Sequence, residues 1–209
     1  MMGQQLERNE IMQDEIWLQP WIWLDYKLAV LFTVIVPLVL FIWSLFKRQA
    51  ALTRLLVIYW RVASLLMITV YLLIPGWPVG YLTGFLARLL IPTALWFWAD
   101  LNEDIADQPP NPFKLALTGW RWAVSVYCAI ATFASIPFLS CAFSRAALNT
   151  PFCQVWREPP VLYRAWFHAN SQPGFLGFLG AVGLTIYALY FGSFMITRLG
   201  KRGRSAMEQ

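Results

Sequence analysis

The stretch LLVIYWRVASLLMITVYLL, residues 55–73, decides the fold: it is apolar almost throughout, and a single arginine, Arg61, interrupts it beside Trp60. A helix needs about 20 mostly apolar residues to cross a hydrocarbon core roughly 30 Å thick, and this run has that length. Working outward, comparable runs occupy 28–46, 79–99, 118–143 and 175–197, and the run quoted extends to 74. PGWP, Pro75–Pro78, separates the second and third runs and suits a tight hairpin. With 59% hydrophobic and only 13% charged residues, the chain lies outside the soluble range. The expected fold class is all-α: a polytopic membrane protein of about five transmembrane helices, with a short interfacial helix in an outer loop.

Residues 28–199 are expected to form a single transmembrane domain. Residues 1–27 read as a polar and aromatic interfacial segment, with Trp17, Trp21, Trp23 and Tyr26 as an aromatic belt, and 200–209 as a basic tail. No apolar run stands at the N-terminus, so neither a secretory signal nor a transit peptide is expected. Lys47, Arg48 and Arg54 in the first loop, with Arg198, Lys201, Arg202 and Arg204 in the tail, predict that both lie in the cytoplasm. The N-terminus and the 144–174 loop are then outside, although Arg145, Arg157 and Arg164 weigh the other way. The net charge of +5 reflects these flanks, and no basic and aromatic groove points to nucleic acid.

The charges within the spans are the informative residues, because a cation at mid-bilayer costs about 2.5 to 3.5 kcal/mol on insertion scales and must snorkel, pair or face a polar interior. Arg61 and Arg121 lie at equal depth, in the similar phrases YWRVAS and GWRWAVS, and Asp100 ends the third span on the same side. A cytoplasmic-side ionic cluster of Arg61, Asp100, Glu103 and Arg121 is therefore expected. Arg88, near the centre of the third span, has no carboxylate at matching depth within the expected spans. It is left as a ligand or partner contact, or as a packing hydrogen bond to a group such as Thr69. The acidic ADLNEDIADQPPNPFK connector is the candidate docking segment for a partner.

In the outer loop, Pro159 and Pro160 can open a short helix with Val161, Leu162, Ala165 and Trp166 on one face, as in a helix lying on the membrane surface. It leads to the only histidine, His168, which could contact a ligand or partner or merely cap the helix. Cys141 and Cys153 could form a disulfide in an oxidising compartment, worth about 3 kcal/mol if unstrained. The alternative is that all three cysteines pack as small apolar residues. No metal-ligand spacing occurs.

The spans hold no histidine and, within the expected boundaries, no central carboxylate, which disfavours haem ligation and a proton relay. No nucleophile triad, Walker loop or dinucleotide fingerprint is present, so no catalytic residue is assigned and no cofactor is expected, with bound lipid or pigment left open. The phrases WLDYKLAVLFTV, IYWRVASLL, LWFWADLNEDI, FLSCAFS and RLGKRGRSA resemble a cyanobacterial multi-pass membrane protein family of unknown function, over nearly the whole chain. The resemblance implies a thylakoid or plasma membrane and carries no reaction. Two functional classes follow. One is a non-catalytic auxiliary or assembly factor of a photosynthetic or respiratory membrane complex. The other is a small transporter or lipid-binding protein whose intramembrane arginines hold an anionic group.

Overall fold

The structure is a computed structural model, and it describes residues 17–47 and 49–199. Arg48, the residues before Trp17 and the tail expected at 200–209 lie outside the described residues. Helix α1 (Trp17–Lys47) is followed by α2 (Ala50–Leu73), α3 (Val79–Trp96), a short α4 (Ala99–Asp107) and α5 (Pro112–Ser135). A bend of 56° at the Ile136-Pro137 step leads into a 3-10 turn (Pro137–Leu139) and α6 (Ser140–Phe143). Short helices α7 (Arg145–Leu148) and α8 (Pro151–Gln154), a second 3-10 turn (Val155–Arg157) and α9 (Glu158–Phe167) complete the connection to α10 (Pro173–Phe194). Among the described residues there is no strand, and four helices are long and apolar enough to cross a membrane, or five counting the bent pair.

The described part of α1 starts eleven residues ahead of the expected first span, so the aromatic segment is helical and continuous with it. At about 1.5 Å per residue its 31 residues reach roughly 46 Å, longer than a hydrocarbon core needs. Within it, Leu31–Ile35 is π-helical. Pro37 is the physical cause: it has no N–H to offer the carbonyls of Phe32 and Thr33. Those carbonyls accept instead from Trp120 Nε1 at 2.8 Å and from the Tyr59 hydroxyl at 2.7 Å. A defect that would be costly in an apolar medium thereby fastens α1 to α2 and α5.

Helix α2 is the hub, packed against α1, α3, α4 and α10, while α5 packs on α3 and α1. Its buried stripe, Leu52, Leu55, Leu56 and Tyr59, meets Ile91, Leu95 and Leu117 in one core. Tyr59 stands edge-on to Trp120 at 4.9 Å. The outward faces are as apolar as the inward ones: Ile130, Phe133, Ile186 and Leu189 are exposed. Such helices, apolar all round, are compatible with an integral membrane protein.

Two ends can be distinguished. At the acidic end, the expected loop is folded: α4 buries Leu101 and Ile105 against the core while Glu103 and Asp107 stay exposed. Lys114 Nζ donates to the carbonyls of Ala106 and Gln108, placing a cation at the C-terminus of α4. At the other end, residues 144–172 fold over the bundle as a cap. The short helix expected after Pro159 is α9, and Val161, Trp166 and Phe167 on it are exposed.

Candidate functional site

The polar centre of the bundle lies beneath the cap. Arg88 of α3 makes an ion pair with Asp25 of α1, and the Tyr127 hydroxyl of α5 donates to the same carboxylate at 2.9 Å. The two charged side chains are only 10% and 18% exposed. Three helices thus converge on one carboxylate. Their depths agree: Arg88 is nine residues past Val79 and Tyr127 eight before Ser135, roughly 12 to 14 Å along each axis, and Asp25 meets both at that level. Trp156 of the cap covers the guanidinium with its ring 5.1 Å away, a cation–π contact in a desolvated setting. Pro92 in α3 cannot donate to the Arg88 carbonyl, so the backbone is also relaxed at this level.

Sequence reasoning did not supply Asp25, and the expectation that Arg88 lacks a carboxylate at its depth is corrected here. Hydropathy places the first span from 28, which leaves Asp25 outside it. The usable signal was Trp17, Trp21 and Leu24 at helical spacing, which extends α1 backwards past the aspartate. Thr69, the other suggested partner, bonds instead to Leu65 O at 2.8 Å and Thr83 Oγ1 at 2.9 Å.

The cap is fastened over this pair at several points. Cys141 and Cys153 are joined by a disulfide with Cα atoms 5.8 Å apart, and the Tyr81 hydroxyl donates to the Cys153 carbonyl at 2.6 Å. Phe138 stacks on Phe152 at 4.2 Å. Arg157 donates to the carbonyls of Leu73, which also accepts from the Gly76 N–H, and Ile74, at the C-terminal end of α2. Gly76 makes room for it: φ is +82°, and an added Cβ would lie 2.6 Å from the Arg157 guanidinium carbon. Glu158 accepts from Gln19 Nε2 at 2.9 Å and from Trp23 Nε1 at 3.0 Å, tying the start of α9 to α1. His168 lies at the end of α9, with Nε2 hydrogen-bonded to the Tyr71 hydroxyl at 2.8 Å and its ring against Tyr163. Burial, helped by a hydrogen bond with Tyr71, holds the Tyr163 phenol above its ordinary pKa.

The four residues expected to form one ionic cluster are placed differently. Arg121 is buried and donates to the Leu95 carbonyl at 2.7 Å and to Asn102 Oδ1 at 2.5 Å, with the Trp96 ring 4.1 Å away. It serves as a cap for the orphan carbonyls at the end of α3, and Asn102 Nδ2 satisfies the next one, Trp96 O, at 3.0 Å. Arg61 is exposed and turned the other way, donating to the Tyr190 hydroxyl of α10 at 2.9 Å. Asp100 accepts from the Leu101 N–H at the start of α4, and Glu103 points outward. Equal depth did not make Arg61 and Arg121 neighbours, because their helices present them on different faces.

Among the described residues, no group of three or more His, Cys, Asp or Glu side chains could hold a metal ion. The model of a family described as a protein of unknown function, DUF3177, matches residues 19–207. The chain belongs to the DUF3177 family. No curated protein and no solved structure matches it. In this DUF3177 member the match covers every element described above except the first two residues of α1, so the Asp25–Arg88 pair, the cap and α4 all lie within the family region.

Proposed function

We propose that this DUF3177 protein is a non-catalytic auxiliary or assembly factor that docks against a photosynthetic or respiratory complex in a cyanobacterial thylakoid or plasma membrane. The observation that carries the reading is α4: Leu101 and Ile105 anchor it to the core, so Glu103 and Asp107 form a fixed outward acidic edge rather than a loose connector. A preformed charged edge suits recognition of a basic surface at low ordering cost. The basic residues flanking this end favour placing it in the cytoplasm. Support also comes from the buried arginines. Arg88 is neutralised by Asp25, and Arg121 is committed to helix α3 and Asn102, which leaves neither poised to hold a transported anion.

Affinity purification in mild detergent tests the reading. A membrane complex should co-purify with the wild-type chain and be lost from the Glu103→Lys/Asp107→Lys double variant. A tagged protein that always elutes alone would refute the proposal.

A further inference from the structure

Arg61 is unlike the other two arginines of the spans. It occupies the midpoint of α2, roughly 17 Å along the axis from Ala50, and its side chain is exposed. Arg88 has a carboxylate, whereas Arg61 donates to the neutral hydroxyl of Tyr190, whose ring centroid also lies 5.9 Å from the guanidinium carbon. A full positive charge is therefore left on the outer face of two apolar helices.

The packing of α10 on α2 shows what surrounds it. The helices run antiparallel, and at the cap end glycines bring them together: a Cβ would come within 2.6 Å of Pro75 at Gly177, 3.1 Å of Tyr71 at Gly180 and 3.3 Å of Ile68 at Gly183. Continuing this register by two turns sets Tyr190 level with Arg61. There the glycines give way to Tyr187, Tyr190 and Phe191, side chains too large for the same close approach. The seam thus changes from a glycine contact to one lined by larger side chains, whose outer rim carries the guanidinium and the phenol. Toward the cap end the rim continues over exposed apolar Met67 and Ile186.

We infer that Arg61 and Tyr190 form a binding site for the phosphodiester headgroup of an anionic glycerolipid in the leaflet at the acidic end. The Cα–Cβ bond of Arg61 tilts toward the N-terminus of α2, which is the acidic end, so a snorkelling guanidinium would reach headgroups on that side. Arg61 Nη1 donates to the Tyr190 oxygen, so the phenolic proton stays available to donate to a phosphate oxygen alongside the remaining guanidinium N–H groups. The acyl chains would run along Met67 and Ile186. In sequence, α10 leads to Arg198, Lys201, Arg202 and Arg204, a basic segment that favours anionic lipid at this same end. This inference does not depend on the docking function proposed above.

Native mass spectrometry from nanodiscs containing equal phosphatidylglycerol and phosphatidylcholine tests it. The wild-type chain should retain phosphatidylglycerol selectively, and excess inorganic phosphate should not displace it. Arg61→Gln should lower retention about tenfold, as loss of a charge-assisted hydrogen bond implies. Tyr190→Phe, which removes only the hydroxyl, should lower it less and guards against misfolding of the arginine variant. Trp122→Ala, on an exposed face of α5, should change nothing. Equal retention of the two lipids, or unchanged retention in both site variants, overturns the inference. So would loss of a co-purifying protein in Arg61→Gln with lipid retention intact, since Arg61 would then face a partner's acidic group.

Discussion

Replacing Asp25 by asparagine keeps the shape of the site and removes its negative charge. Arg88 would then be a cation 10% exposed, facing a neutral amide and the Trp156 ring. Breaking a buried pair by removing one partner costs about 3 to 5 kcal/mol, because the other charge remains desolvated. For a chain of this length that corresponds to a fall in Tm on the order of 10 °C. Arg88→Met should cost a similar amount by stranding the carboxylate. The Asp25→Leu/Arg88→Met double variant should recover most of the loss, since an apolar pair of similar volume carries no desolvation penalty. With the Asp25→Leu single variant added, thermal unfolding in detergent, followed by tryptophan fluorescence and by retention of the monodisperse species, would give the double-mutant cycle. The coupling expected, about 3 kcal/mol or more, far exceeds the roughly 0.6 kcal/mol averaged by neutral hydrogen bonds between membrane helices. Single variants costing under about 1 kcal/mol, with an additive double variant, would refute the view that this ion pair organises the bundle.

Two further outcomes follow from the packing. Cys141 and Cys153 should resist alkylation until reduced, and Cys141→Ser should cost roughly 3 kcal/mol; labelling of both thiols without reduction would contradict the disulfide. Gly180→Val should destabilise by about 1 to 3 kcal/mol through overpacking against Tyr71 and Leu72, while Gly192→Ala, whose Cβ meets nothing within 4 Å, should be near neutral. Equal melting temperatures for these two glycine variants would count against the α2–α10 seam.

Much of the architecture was legible because apolar runs of span length leave few alternatives to a helix. The Pro159-Pro160 opening and the spacing after it located α9 for a similarly local reason. What hydropathy could not supply was the true extent of α1, since Asp25 and Lys27 lower any window that includes them, and the carboxylate serving Arg88 was lost with that boundary. Nor could it supply rotation about the helix axis. Arg61 and Arg121 share a depth and a local phrase, yet one faces Tyr190 on the outside of α10 while the other turns inward to Leu95 and Asn102. Depth can be read from position along one helix, whereas direction depends on which neighbours that helix acquires. The π-helical step in α1 shows the same division: Pro37 announces free carbonyls, but only the assembled bundle shows that Tyr59 and Trp120 take them.

The pairing of Asp25 with Arg88 also imposes a timetable on synthesis. The two residues are 63 positions apart, so at ribosomal rates of about 5 to 20 residues per second the aspartate waits roughly 3 to 13 s before its counter-ion exists. Throughout that interval α1 holds an acid that its own helix cannot neutralise. Tyr127 emerges later still, and Trp156, which closes the guanidinium from above, comes last of the four. The first helix therefore cannot settle independently: its final position is fixed retroactively, by residues translated after it.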